Sequence, residues 1–133
     1  MNISPEREEP QATVYELVGG RPFFDRLVDR FYDEVEADPL IRPLYPDDLT
    51  EPRRHTAGFL AQYWGGGTGH YSDDRGHPRL RMRHAPFAIG VDEARAWLRC
   101  MDVALRAQEL PAPIEEAMRD HFANAAAHMV NVG

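Results

Sequence analysis

The chain has 133 residues, of which 43% are hydrophobic and 28% are charged, and its formal net charge is −7. This length and composition are typical of one globular domain with a single core, and they exclude two ordinary domains or a fully disordered chain. The acidic charge argues against nucleic-acid binding, and no apolar run approaches the roughly 18 residues of a membrane span, so neither kind of partner is expected.

The N-terminal part of the chain changes character near its first threonine. Residues 1–12 are polar and include two prolines, so we expect a disordered tail there and a single domain over residues 13–133. Thr13 is a suitable N-cap for a short helix over Val14–Val18, and Gly19-Gly20 would end that helix through positive φ angles. The domain is therefore predicted to begin with one capped helical turn.

A long amphipathic helix is predicted next, from about 23 to 37. Its apolar side chains recur at three- and four-residue steps, which gives one broad buried face. The residues of this face are Phe24, Leu27, Val28, Phe31 and Val35. Tyr32 is expected at the edge of the face. After Asp38-Pro39 ends the helix, Pro46 restricts Tyr45 to extended backbone, which places this tyrosine at a corner between helices.

A further helix is predicted from about 50 to 64, with Pro52 in its first turn and three glycines at its end. It presents Thr56, Phe59, Leu60, Tyr63 and Trp64. The glycine-rich loop that follows, residues 65–77, is long for a compact domain, and loops of this length are more often functional than accidental. We therefore expect this loop to cover a ligand.

The segment 75–87 contains one histidine between strong turn and helix-end signals. Gly76 and Pro78 mark a turn and a helix start, and Pro86 forces the preceding residue out of helical geometry, so a short helix should carry His84 in its last turn. From this spacing alone, a histidine that interacts with the negative end of a helix is a commoner outcome than one that binds a metal.

Two more helices complete the chain, at about 92–109 and 114–130. One side of the first carries Ala94, Trp97, Leu98, Met101, Ala104 and Leu105. The second is predicted to bury Ile114, Met118, Phe122, Ala125 and Met129. No segment shows sustained strand alternation, so the predicted fold class is all-α, and periodicity alone does not separate a helical bundle from a globin-like packing.

Three stretches of the chain together resemble the group II truncated haemoglobins. They are Gln-Tyr-Trp-Gly-Gly (62–66), His-Pro-Arg-Leu-Arg-Met-Arg-His-Ala-Pro-Phe (77–87) and Ala-Trp-Leu-Arg-Cys (96–100), and the similarity extends over residues 14–132. The resemblance implies a two-over-two helical sandwich that encloses a haem b, with His84 as the proximal ligand of the iron.

The resemblance also implies ligand-binding residues on the distal side of the haem. Tyr32, Tyr45 and Trp97 match the hydrogen-bond donors of the family, although each one alone is more simply a core residue with a satisfied polar tip. Pro52 and Thr56 match the ligand-gating positions of the distal helix, where related proteins tend to carry a small residue and a leucine. Thr56 could add a weak distal donor, although a threonine inside a helix more often bonds back to its own helix, here to the carbonyl of Pro52.

Further contacts to the haem are predicted around the proximal segment and along the distal helix. The polar residues that could bind the haem propionates are Tyr71, His77, Arg81 and Arg83. The apolar residues expected against the porphyrin are Phe59, Leu60, Met82, Phe87, Ile89 and Met101, together with Trp97.

The remaining histidines and the single cysteine are expected to be structural. His70, His77 and His84 have a regular spacing, but the glycine and proline that flank His77 prevent one helix from presenting all three to a zinc ion. Cys100 should be a small buried hydrophobe without assigned reactivity. It cannot form an internal disulfide, and no secretory signal is recognisable, so a cytoplasmic protein is expected.

Reversible binding of O2 and other diatomic ligands, including oxygen transport, is the function that the resemblance implies. The alternative is an oxidative enzyme at the same haem, a nitric oxide dioxygenase or a peroxidase-like protein, which would need an external reductase because the chain has no nicotinamide or flavin fingerprint. A cofactor-free helical interaction module would make the matching residues coincidental. The sequence is compatible with a monomer and with a homodimer.

Overall fold

The computed structural model describes residues 12–66 and 88–132, and in these residues all regular secondary structure is helical. The α-helices there are α1 Val14–Val18, α2 Arg21–Glu36, α3 Thr50–Ala61, α4 Val91–Arg106 and α5 Ala112–Met129. A 3₁₀ turn, Arg42–Leu44, lies between α2 and α3, and a π-helical turn, Gln62–Gly66, continues α3. The predicted N-terminal tail (apart from Ala12), most of the glycine-rich loop and the short helix before His84 lie outside the described residues. None of the helices found in the described ranges is long and apolar enough to cross a membrane.

The start of the domain follows the local sequence signals. The Thr13 hydroxyl accepts a hydrogen bond from the backbone N–H of Glu16, and the Glu16 carboxylate accepts one from the backbone N–H of Thr13, both at 3.1 Å. Gly19 and Gly20 have φ angles of 103° and 83°, so the backbone turns sharply from α1 into α2. The predicted cap and the predicted glycine stop are both confirmed.

The turn after α3 depends on one glycine. Gly65 has a φ of 114°, and a Cβ atom placed there would lie 2.5 Å from the Cβ of Thr13. A side chain at this position would therefore be strained by its backbone and would also clash with the start of α1. Gly65 lets the end of α3 pack closely against the first helix, whose residues contact this turn.

Helix α2 lies at the centre of the core, because it packs against both α3 and α4, while α4 also packs against α5. Its buried residues are Phe23, Phe24, Leu27, Val28, Phe31, Tyr32 and Val35. The sequence places Tyr32 at the edge of the apolar face, but only 3% of its surface is exposed. The difference arises because the neighbouring helices cover α2 on two sides, which widens its buried face beyond one helical stripe.

The end of α4 differs from its prediction. The helix stops at Arg106 and not near residue 109, and the chain then turns through Glu109, which has a positive φ of 55°. Helix α5 begins at Ala112, before its predicted start, because Pro113 fits the first turn of a helix without losing a hydrogen bond. Pro113 therefore lies inside the first turn of α5, whereas the predicted start of the helix at 114 leaves it outside.

The buried face of α5 also differs from its prediction at two positions. Ala126 is buried and Ala125 is only partly buried, and Ile114 is likewise partly exposed. The reason is that the row facing the core continues at four-residue steps through Met118 and Phe122, and the next step of four residues reaches Ala126. The remaining predicted positions of this face are buried as expected.

The C-terminal end of the chain is bonded to the segment before α4. The backbone carbonyl of Ile89 accepts hydrogen bonds from the N–H groups of Asn131 and Val132 at 2.8 and 3.3 Å. The Ile89 N–H donates to the side-chain oxygen of Asn131 at 2.7 Å. These contacts, which we call the C-terminal clasp, fix Ile89 in a buried position with 2% of its surface exposed.

Candidate functional site

Two hydroxyl groups meet inside the core where α2 and α3 face each other. The phenol oxygen of Tyr32 lies 3.0 Å from Oγ1 of Thr56, and either atom can be the donor. Both residues lie on well-defined helices, so their positions are set by the packing of α2 against α3. The prediction that Thr56 bonds back to its own helix at Pro52 is wrong, because Thr56 faces α2 and finds the buried phenol as its partner.

The predicted distal donors belong to one aromatic cluster. The ring of Phe31 contacts Tyr32 on one side at 4.9 Å between ring centroids and Trp97 on the other at 5.5 Å, both edge to face. The ring of Tyr45 stands edge-on against Tyr32 at 5.5 Å. Tyr32 and Trp97 thus flank Phe31, and Tyr45 joins the cluster through Tyr32, an arrangement that the sequence spacing of the three donors alone does not show.

Tyr45 occupies the corner that the sequence predicts. Its backbone is extended, with φ −120° and ψ 155°, as expected for a residue before proline. The guanidinium of Arg42 holds this corner by donating to the backbone carbonyls of Tyr45, Pro46 and Asp47 at 3.0 to 3.3 Å. The tyrosine is half-buried, and its ring packs against Tyr32.

Trp97 presents its indole to the core from α4. Only 8% of its surface is exposed, and its ring also contacts Phe122 of α5 at 6.2 Å. The predicted apolar contacts Leu60, Ile89 and Met101 are buried, and Phe59 is half-buried against the core. The aromatic cluster therefore belongs to the same hydrophobic core as these apolar residues.

Arg53 is the residue near this cluster that sequence reasoning did not single out. Its guanidinium carbon lies 5.8 Å from the centroid of the Tyr32 ring. It donates to the backbone carbonyl of Asp29 at 3.0 Å, to the carboxylate of Asp29 at 3.3 Å and to that of Asp33 at 3.2 Å. Burial alone would lower the pKa of Arg53, but the hydrogen bonds to Asp33 and Asp29 raise the pKa above its usual value. One feature of the sequence points to Arg53: it lies three residues before Thr56, on the same face of the helix.

Cys100 is buried in α4, as predicted, with 4% of its surface exposed. The pKa of its thiol is raised to about 11. Burial is the largest cause, and the negative charge of Asp38 is the second. The thiol is therefore protonated at neutral pH and behaves as an apolar side chain.

The predicted proximal residues and propionate ligands lie outside the described residues, and with them two of the apolar contacts. They are Tyr71, His77, Arg81, Met82, Arg83, His84 and Phe87, and His70 lies there too. Among residues 12–66 and 88–132, no group of three or more His, Cys, Asp or Glu side chains is arranged to hold a metal ion.

The chain matches known proteins over nearly its whole length. The sequence model of the bacterial-like globins matches residues 13–131. A group 2 truncated haemoglobin of Bacillus subtilis is 43% identical over 117 residues, which are 88% of this chain and 87% of that protein. The chain belongs to the group II truncated haemoglobins. Globins of this family bind haem and diatomic ligands.

Solved haemoglobin structures share the fold of this globin. The haemoglobin of Chloroflexus aurantiacus is 49% identical, with a TM-score of 0.87 and coverage of 92% of this chain and 100% of that one. The truncated oxygen-avid haemoglobin from Bacillus subtilis is 42% identical, with a TM-score of 0.83 and coverage of 90% and 100%. The predicted all-α, two-over-two sandwich is confirmed.

The described residues of the globin fit the distal side of a haem site. A haem requires apolar walls around the porphyrin and a few oriented donors on the side where the ligand binds. Tyr32, Thr56 and Trp97 bring two hydroxyls and one indole N–H to a core whose buried residues are mostly hydrophobic. Such a donor set suits a small ligand that carries partial negative charge.

Proposed function

We propose that this globin reversibly binds O2 and other diatomic ligands at a haem b whose iron is held by His84. Tyr32, Tyr45 and Trp97 act as hydrogen-bond donors to the ligand. The observation that carries the proposal is the hydrogen bond between the buried Tyr32 and the half-buried Thr56, 3.0 Å long, with Trp97 in the same aromatic cluster as Tyr32. Haem iron, when bound, supplies the bond to the diatomic ligand, and the polypeptide decides how firmly that ligand is retained.

Thr56 directs the proton of Tyr32. Two adjacent hydroxyls share one hydrogen bond between them, so when Thr56 donates to the phenol oxygen, the Tyr32 O–H can act as a donor to a ligand. The edge of the Tyr45 ring packs against Tyr32 and restricts where that phenol can move. In this arrangement Thr56 supports the donor, whereas a leucine at the same position could only pack against it.

Trp97 supplies a donor of a different kind. The indole N–H can donate but cannot accept. Trp97 is therefore the donor towards any ligand, whereas a hydroxyl can act as donor or acceptor. Its ring packs against Phe31 and Phe122, and this packing fixes the direction of the N–H group. A fixed donor inside an apolar core stabilises partial negative charge on a ligand more strongly than the same donor in water would.

The proposed proximal side uses residues of the 67–87 segment. His84 provides the neutral imidazole nitrogen that holds the iron, and Tyr71, His77, Arg81 and Arg83 provide donors for the haem propionates. The family likeness and the sequence motif support these assignments. The apolar walls would be completed by Met82 and Phe87 with Phe59, Leu60, Ile89 and Met101.

Optical spectra and two variants test the proposal. The purified protein should show a Soret band, and His84→Gly should lose the ferrous Fe–His vibration unless imidazole is added. Tyr32→Phe should release O2 faster by about 5- to 100-fold, since a hydrogen bond to a partly charged group contributes about 1–3 kcal/mol. An unchanged Fe–His vibration in His84→Gly, or an unchanged release rate in Tyr32→Phe, would refute the corresponding assignment.

The same samples address the oxidative alternative that the sequence raises. O2-saturated protein can be mixed with nitric oxide in a stopped-flow instrument, and the appearance of ferric haem can be followed. Rapid and repeated turnover with an added reductant would favour a dioxygenase. Reversible release of O2 without net oxidation supports the binding function proposed above.

A further inference from the structure

Arg53 is bonded to the helical turn that carries Tyr32. Asp29 lies one turn before Tyr32 on α2, and Asp33 directly follows it. Arg53 reaches both carboxylates and also the backbone carbonyl of Asp29, while its guanidinium lies 5.8 Å from the centre of the Tyr32 ring. One side chain of α3 therefore contacts the α2 backbone, two acidic groups and the phenol ring.

A surface ion pair would not by itself justify a functional role, because exposed pairs contribute little to stability. Arg53 differs from such a pair in two respects. Its side chain is 26% exposed, whereas the carboxylates of Asp29 and Asp33 are 62% and 59% exposed. It also uses the planar fork of the guanidinium, which a lysine cannot reproduce, to bond groups on both sides of Tyr32.

The two α3 residues that contact Tyr32 lie on one face of that helix. Thr56 holds the phenol oxygen at 3.0 Å, and Arg53, three residues earlier on the same face, packs against the phenol ring. The two residues constrain different parts of the tyrosine. Without Arg53, the phenol would be held at its oxygen by Thr56 and packed by Phe31 and Tyr45, but the turn beneath it would lose its bonds to α3.

We propose that Arg53 is a positioning residue for Tyr32, which fixes the orientation of the phenol and so sets how well it donates to a bound diatomic ligand. The inference rests on the proposed function of Tyr32 as a ligand donor. It assigns to Arg53 a role in ligand retention without contact between Arg53 and the ligand. A cation beside the ring also favours this orientation through its attraction to the aromatic face.

Two variants and a spectroscopic readout test the inference on the haem-loaded protein. Arg53→Met removes the charge and the fork, and Arg53→Lys keeps the charge but loses the fork. We expect O2 release to become about 3- to 10-fold faster in Arg53→Met, with a smaller change in Arg53→Lys, because coupling between contacting residues has this size. The infrared C–O stretch of bound carbon monoxide should move to higher frequency or split, since a misdirected donor stabilises the ligand less.

A double variant shows whether Arg53 acts through the tyrosine. In the Tyr32→Phe background, Arg53→Met should change neither the release rate nor the infrared band any further. Arg119→Met is the matched control, since Arg119 also links two helices, pairing with Asp102 of α4 and with Glu115 of its own helix α5, and neither of these partners is on α2. This control should leave the infrared band unchanged, even if it lowers the unfolding temperature.

The outcomes separate the inference from the proposed function. If Tyr32→Phe itself leaves O2 release unchanged, the donor role of Tyr32 fails. If Tyr32→Phe speeds release but Arg53→Met and Arg53→Lys both behave like the wild type, only the positioning role fails. An equal effect of Arg53→Met with and without the Tyr32 hydroxyl would also overturn it. If Arg53→Met does not retain haem, the test is carried by Arg53→Lys and Asp33→Asn, for which smaller shifts in the same direction are expected.

Discussion

Replacing Trp97 by phenylalanine should speed the release of O2 from this globin. The change deletes the indole N–H while it keeps an aromatic ring between Phe31 and Phe122, which contact Trp97 at 5.5 and 6.2 Å. O2 bound to haem iron carries partial negative charge, so the lost donor weakens the bound state. The fold should be retained, because the substituted side chain remains apolar in a site where only 8% of the tryptophan is exposed.

The size of the effect follows from the surroundings of the indole. A hydrogen bond to a charged or partly charged acceptor contributes about 1–3 kcal/mol, and about 1.4 kcal/mol corresponds to a tenfold change in rate. Release should therefore be about 5- to 100-fold faster. The effect lies in the lower part of this range if Tyr32, whose oxygen is 3.0 Å from Oγ1 of Thr56, donates to the same ligand and compensates for the lost N–H, and in the upper part if it does not.

Stopped-flow displacement of O2 by carbon monoxide measures the release rate directly. The chain offers a matched control in its other tryptophan, Trp64, whose buried indole N–H has no hydrogen-bond partner among the described residues. Trp64→Phe should leave the release rate unchanged. Equal release rates in Trp97→Phe and the wild type would show that Trp97 only packs, and an equal acceleration in both variants would point to a general loosening of the fold.

Three further predictions concern stability and reactivity. Thr56→Val should lower the free energy of unfolding by about 1–2 kcal/mol in urea titrations, because the hydrogen bond between the Thr56 hydroxyl and the buried Tyr32 is lost. A value equal to that of the wild type would contradict the importance of this bond. Gly65→Ala should lower it by more than about 2 kcal/mol, and Gly19→Ala by about 1, because both glycines have positive φ but only Gly65 would clash with Thr13. Equal losses would show that the close approach is unimportant. Cys100 should react with thiol reagents at pH 8 only after unfolding, and stability should fall as the pH rises from about 9 to about 11, because the unfolded thiol ionises near 9.0 while the folded thiol keeps its proton to about 11. Stability that is flat across this range, compared with Cys100→Ala, would show that the thiol does not titrate in this way.

The parts of the fold that could be predicted from sequence are those fixed by local chemistry. The helices follow from apolar periodicity, the α1 cap from Thr13 and Glu16, and the extended corner at Tyr45 from the proline after it. Each of these signals acts over a few neighbouring residues. The structure keeps them because packing does not oppose them.

The parts that could not be predicted depend on how one helix is rotated against another. Thr56 was expected to bond to its own helix, but the packing of α3 on α2 turns it towards a phenol 24 positions earlier in the chain. Arg53 was overlooked for the same reason, since both of its acidic partners lie on α2. On α5, the rotation of the helix about its axis buries Ala126 and not the neighbouring Ala125. Sequence spacing within one helix cannot supply these rotations.

The C-terminal clasp has a practical consequence for attaching this globin to other molecules. Ile89 and Asn131 are 42 positions apart, so the hydrogen bonds between them close the segment that contains α4 and α5 into one loop. A fusion partner or a surface anchor attached beside Asn131 would pull on the buried Ile89, far away in sequence. Tethering through an exposed position in the middle of α5, such as Asp120, would leave the loop closed and the core undisturbed.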